Sequence, residues 1–179
     1  DEGTEPLASL GNLRQISFVQ TPIGNATVSH LSKLTELEVL SIHDAAAVGD
    51  EGVSQLAGLT RLRKLRLRGT SVGDVRIQAI AKLPLLIELD LAGTRVTDRC
   101  VAAISQMTSL ERLSLYPTDL TDAGLPALAS LKNLKSLDIG PHISIKAANQ
   151  LRDALPECRI SRFNSRGSAG YPEVEGDDQ

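Results

Sequence analysis

The leucines Leu62, Leu65 and Leu67 form a pattern, L-x-x-L-x-L, that returns every 24 residues as Leu86/Leu89/Leu91, Leu110/Leu113/Leu115 and Leu134/Leu137/Ile139. Upstream the same places are held by Leu13/Ile16/Phe18 and Leu37/Leu40/Ile42. One step is irregular: Leu37 to Leu62 spans 25 residues, an insertion that the run Ala45–Ala47 can absorb. Six units follow one another with no spacer. A unit this short cannot bury its own apolar face, so the chain must stack its units into one continuous core.

Each unit changes period part-way. The L-x-L half alternates, as a short strand with one buried face does. The second half spaces its apolar residues by three, in Ile77/Ile80/Leu83, Val101/Ile104/Met107 and Leu125/Leu128/Leu131. That is a helical stripe of about three turns at most. Between the halves lies a turn with Thr at a fixed place (Thr21, Thr70, Thr94, Thr118). Four residues after the last three come Asp74, Asp98 and Asp122. A carboxylate in a first helical turn favours the helix dipole and accepts unpaired backbone N–H groups. Thr97 and Thr121, one residue earlier, are suited to N-capping.

Thr118-Asp119-Leu120-Thr121-Asp122-Ala123-Gly124-Leu125 and Thr94-Arg95-Val96-Thr97-Asp98 resemble the leucine-rich-repeat family, in its variant reading T-x-V-T-D-x-G-L-x-x-L-x-x-L. The resemblance covers roughly residues 7–160. Similar repeats occur in bacterial multi-repeat proteins and in F-box substrate adaptors of ubiquitin ligases. It implies an α/β fold: a right-handed solenoid, bent into a horseshoe arc, of about six strand–helix repeats. The parallel sheet would line the concave side and the helices the convex side, with binding as the usual function. The chain lacks the paired capping cysteines of many secreted members, the helix cysteines of the cysteine-containing subtype, and any F-box segment.

The ends differ from the middle. Residues 1–6 read as an acidic lead, 7–163 as the repeat domain and 164–179 as a disordered acidic tail rich in Ser, Gly and Pro. Cys158-Arg159-Ile160, with Phe163, reads as a last strand closing the core. Residues 1–5 and 171–179 hold seven acids and no base, whereas 6–165 hold 15 acids against 18 Lys and Arg. The net charge of −3 thus hides a slightly basic body. The first residue is Asp1 and not Met, which marks a fragment or a processed product. Aromatics make up 2% of the chain, so Leu, Ile, Val and Ala must fill the core. No apolar run approaches the ~18 residues of a membrane span.

Catalytic chemistry finds little footing. Cys100 and Cys158 fall three repeats apart or nearly so, beyond the reach of a disulfide when strands are ~4.8 Å apart. His30, His43 and His142 fall on a convex helix, the concave sheet and a turn, with no metal-ligand spacing. Ser41 and His43 share a face, but two positions along a strand are ~6.6 Å apart, too far for a nucleophile and its base. The glycines sit at turns or helix starts, not in a phosphate-cradling loop. The expectation is therefore no enzyme, no metal and no cofactor.

Arg61, Arg63, Lys64, Arg66 and Arg68 form a basic run that invites a nucleic-acid reading. The repeat argues against it, because residues at equal offsets are lateral neighbours. Lys64 then lies beside Glu88, Glu88 beside Arg112, and Arg66 beside Asp90, pairs worth a few tenths to about one kcal/mol. The face also lacks stacking aromatics apart from Tyr116. Its third row reads Val19, His43, Arg68, Ala92, Tyr116, Gly140, with Arg68 opposite no carboxylate and Tyr116 between two small residues. Arg and Tyr are enriched at interface hot spots. The expected binding patch is His43, Arg68 and Tyr116, rimmed by Arg66, Asp90 and Arg112. The expected partner is a protein, bound by a monomer, with no nucleic acid. The competing reading is a structural segment of a larger protein with no dominant ligand patch.

Overall fold

A computed structural model describes Asp1, residues 3–163 and Ala169–Gly170. Eight strands lie in one sheet in the order in which they occur in the chain: β1 (Gln15–Val19), β2 (Val39–His43), β3 (Lys64–Arg66), β4 (Glu88–Asp90), β5 (Arg112–Ser114), β6 (Ser136–Ile139), β7 (Arg159–Phe163) and β8 (Ala169–Gly170). The first seven run parallel and β8 is antiparallel. The register sets leucine beside leucine, Leu40 by Leu65, Leu89, Leu113 and Leu137 in turn, ending on Ile160. One core cluster follows this spine from Ile23 to Ile160, and Leu40, Leu65, Leu89 and Leu137 are wholly inaccessible to solvent. The expected solenoid and its closing strand are thus both present.

The convex elements are shorter than three turns. They are α1 (Asn25–Leu31), α2 (Asp50–Ser54), α3 (Ile77–Ile80), α4 (Val101–Ile104) and α5 (Ile145–Ala154), and 3₁₀ turns fill much of the remainder. Leu125–Ser130 is 3₁₀ throughout. Leu125, Leu128 and Leu131 recur every third residue, which suits a 3₁₀ helix, and all three are buried, although Ile77/Ile80 and Val101/Ile104 at the same spacing form single α-helical turns. In α5 the buried Ala148, Leu151 and Leu155 alternate three with four, which suits an α-helix, and this helix is the longest.

The turn threonines and the helix-start acids have distinct roles. The hydroxyls of Thr70, Thr94 and Thr118 donate to the carbonyls three residues back, Leu67, Leu91 and Leu115, at 2.6, 2.6 and 2.7 Å. Thr97 does cap, accepting from the Arg99 N–H, whereas Thr121 accepts from the Ala123 N–H within a turn, and the 3₁₀ helix of its unit begins only at Leu125. The acids reach outward to the next unit. Asp74 accepts from the backbone N–H and hydroxyl of Thr97, and Asp98 does the same for Thr121. Asp122 accepts from the Ser144 N–H, and Asp50 from that of Gly73. Asn25 and Asp1 hold the corresponding places upstream, on Gly49 and Gly24. These six side chains form a ladder that ties each convex element to the start of the next.

The ladder explains the glycine of the T-D-x-G-L motif. A Cβ on Gly124 would lie 2.5 Å from the Asp98 carboxylate, and one on Gly52 would lie 2.7 Å from the Asn25 amide oxygen. Gly69 and Gly93 answer a different need, since both adopt φ +66 in the turn after the strand.

At the far end the core closes with a polar residue. Arg162 stands in register with the buried Ile139 and donates to the carbonyls of Ile143 and Pro141. Phe163 departs from the expectation that it closes the core: one position further on, it falls on the concave face beyond Gly140. Ala169–Gly170 pairs with β7, and the rest of 164–179, read as a disordered tail, lies outside the described residues.

Candidate functional site

The first two expected concave rows are present, and the third is in register where Val19 meets His43. Lys64 is in register with Glu88 and Glu88 with Arg112; Arg66 follows to Asp90, Ser114 and Asp138. The ion pairs, however, run diagonally as well as straight across. Glu88 is the hub: Arg66 donates its Nε to one carboxylate oxygen at 2.6 Å, and Arg112 donates to the other at 3.0 Å. Arg66 therefore pairs with Glu88 and not with Asp90, as lateral counting had it, and it takes the place expected for Lys64. Diagonal neighbours lie within reach of a side chain as long as arginine. Burial alone would raise the Glu88 carboxyl, but the hydrogen bonds and charges of Arg112 and Arg66 hold it below the usual range.

Asp90 turns to its own backbone, its Oδ1 accepting from the Ala92 N–H at 2.9 Å. Its charge still reaches Asp138, two strands away. Asp138 sits above the usual carboxylate range, chiefly through burial and further through Asp90, against the hydrogen bond of Ser161. These residues line a shallow depression of about 240 Å³ with Arg68 at its rim and Ser114 and Ser136 inside.

Arg68 stands exposed beyond the end of β3, and among the described residues no carboxylate lies within ion-pair distance of it. His43 ends β2, half-buried. Tyr116 follows β5 and stacks on Phe163, ring centroids 4.8 Å apart and planes 3° from parallel. Gly140 lies between them, with a hypothetical Cβ 3.3 Å from the Tyr116 ring. The space that the small neighbour leaves is thus taken by Phe163. Counting one further step of 23 residues from Gly140 leads to Phe163, so the signal was present but lay past the sixth unit. Glu88, Asp138, Ser114 and Ser136 were visible as row members, but not as the lining of one depression.

The remaining candidates for chemistry stand apart. Ser41 is buried and its hydroxyl faces Arg66. His30 lies against the Thr4 hydroxyl on the convex side, and His142 is exposed in a turn. Both cysteines are free and buried. Burial, with Asp74 adding its charge, pushes the Cys100 thiol up to about 12, and burial pushes Cys158 up to about 11. Among the described residues no cluster of three or more His, Cys, Asp or Glu side chains is placed to hold a metal. No helix of the described residues is long and apolar enough to cross a membrane.

Comparison with known proteins agrees with the geometry. A family model described as a leucine-rich repeat region matches residues 12–160, and the chain belongs to that family. No curated protein matches it. Among solved structures it is similar to internalin C2 of Listeria monocytogenes at 24% identity and a TM-score of 0.69, covering 92% of this chain and 67% of that one. An internalin (inlF) of the same organism aligns at 18% identity and a TM-score of 0.64, over 93% of this chain and 51% of the other. A leucine-rich-repeat protein of Leptospira interrogans aligns at 23% identity and a TM-score of 0.61, over 86% of this chain and 38% of that protein. These likenesses establish the fold. Of the latter two proteins the chain spans about half the length or less. Leucine-rich-repeat proteins generally mediate protein–protein interaction.

Proposed function

We propose that the chain is a protein-binding scaffold without catalytic activity, and that its partner docks on the concave sheet face. The patch comprises His43, Arg68 and Tyr116, with Arg66, Asp90 and Arg112 at its rim. The observation that carries this reading is Arg68, an exposed guanidinium with no carboxylate within ion-pair distance among the described residues, at the edge of a depression in which Arg112 is already paired with Glu88. A partner carboxylate or carbonyl would meet donors there that are not committed to another carboxylate, so that no existing pair need be broken, unlike those of Arg66 and Arg112 on Glu88. The Tyr116–Phe163 stack offers a rigid apolar surface beside it.

The test compares the wild type with an Arg68→Glu, Tyr116→Ala double variant in pull-down, followed by titration of each protein recovered. Thermal unfolding of both chains checks that the fold is kept. A protein bound by the wild type and weakened about tenfold or more in the double variant supports the patch, since a hot-spot residue is worth about 2 kcal/mol or more. Equal affinity for the two chains removes the concave patch from the reading.

A further inference from the structure

The concave face carries more base than acid. Among the described residues its three rows hold Lys64, Arg66, Arg68, Arg112 and Arg159 against Glu88, Asp90 and Asp138. The segment that follows β8, Tyr-Pro-Glu-Val-Glu-Gly-Asp-Asp-Gln over residues 171–179, has the opposite balance. It holds Glu173, Glu175, Asp177 and Asp178 and no base.

Its spacing also matches one row of the face. Backbone bonds carry the ladder past the strand ends, from the Gly69 N–H to the Ala92 carbonyl and from the Gly93 N–H to that of Pro117. Arg68, Ala92 and Tyr116 therefore stand level in successive units, and Phe163 stacks on Tyr116 further along. With strands ~4.8 Å apart, Phe163 is ~5 Å from β8, Tyr116 ~14 Å, Ala92 ~19 Å and Arg68 ~24 Å. An extended chain leaving Gly170 at ~3.3 Å per residue brings Pro172 to ~7 Å, Val174 to ~13 Å, Gly176 to ~20 Å and Asp178 to ~26 Å. These four are alternate residues, so in an extended segment they face one way and Glu173, Glu175 and Asp177 the other.

We infer that residues 171–179 dock across this row of the concave face, with Pro172 and Val174 on the Phe163–Tyr116 stack, Gly176 over Ala92 and Asp178 on Arg68. This docking rests on the concave patch of the proposed function, and a partner then reaches Arg68 by displacing the chain's own tail. Continuation of β8 along β7 fits less well. The register that sets Gly170 opposite Arg162 brings Glu173 opposite Arg159, where β7 begins, and leaves Val174–Asp178 with no strand to pair. The tail of a second copy is also disfavoured, because a tethered segment acts at an effective concentration in the millimolar range.

The test labels a Gln179→Cys variant of the full chain with a nitroxide and reads the loss of backbone amide signals by NMR. Cys100 and Cys158 are buried and do not compete for the label. The expected result is loss at His43 and Arg68, with both signals recovered in raised salt and in the Asp177→Asn, Asp178→Asn background. Arg68→Glu should restore the His43 signal, and adding Asp177→Lys and Asp178→Lys to it should remove that signal again. Full signals at His43 and Arg68 in the labelled chain would overturn the docking, as would a loss that survives neutralisation of the two acids. Loss confined to Arg159 and its neighbours would give the tail to the β7 edge, and loss seen only between mixed labelled and unlabelled chains would give it to a second copy; either overturns the docking. None of these signals involves a partner, so their failure leaves the pull-down result at Arg68 standing.

Discussion

At the scale of single residues, the ladder shows what a repeat adds to an ordinary helix cap. Asp74 satisfies the Thr97 N–H and hydroxyl at 2.7 and 2.8 Å, one unit away from its own helix start. Asp74→Ala removes two hydrogen bonds to a charged acceptor and is expected to cost about 1–3 kcal/mol, read as a fall in the urea midpoint. The same variant should lower the Cys100 thiol from its value of about 12, because Asp74 raises it. Titration of the thiolate by its ultraviolet absorbance checks this, and an unmoved Cys100 would mean that burial, with the charge of Asp98, sets the value without Asp74. Gly124→Ala meets the ladder from the other side, since its Cβ would lie 2.5 Å from Asp98. The expected loss is about 1–3 kcal/mol. Combining it with Asp98→Ala should cost less than the sum of the two, as contacting residues couple.

At the scale of the strands, two carboxylates on neighbouring rows pull stability in opposite directions with pH. Glu88 is held below the usual carboxylate range by Arg66 and Arg112, which outweigh its burial. Its native pairs therefore stabilise the fold above that range, and the contribution is lost as pH falls through the lowered native value. Asp138 is raised, chiefly by burial. Its cost is absent at low pH, grows as pH rises through the usual range to the raised value, and is complete above it. At pH 7 Glu88→Gln should thus destabilise, by about 1 kcal/mol, and Asp138→Asn should be neutral or stabilising by up to about 1 kcal/mol. Urea titrations at pH 7 and near pH 3 decide the matter. Both differences should shrink at the lower pH, and a pH-independent effect at Asp138 would point to packing instead of charge.

At the scale of the whole molecule, stability should spread unevenly along the solenoid, because each unit contacts only its neighbours. The β1 end has partly exposed apolar residues and, among the described residues, a single strand partner, whereas at the β7 end stand Arg162, the Tyr116–Phe163 stack and β8. Native-state hydrogen exchange should therefore find the amides of Gln15–Val19 opening before those of Leu113 or Leu137. Simultaneous opening of both regions would show that the array unfolds as one cooperative block.

How much of this was legible without the fold depends on what spacing can encode. The 24-residue period determined the units, the strand register and nearly every core position, since a strict repeat allows only one way for successive leucines to overlie each other. The row containing His43, Arg68 and Tyr116 is an expectation drawn from the same spacing. Spacing carries no information about which way a long side chain leans between strands ~5 Å apart. Only the tertiary structure therefore decided that Arg66 and Arg112 share Glu88, that the helix-start acids serve the following unit, and that Phe163 crosses Gly140 to meet Tyr116. Those contacts depend on the approach of one unit to the next, which is a property of the stack and not of the repeat within it.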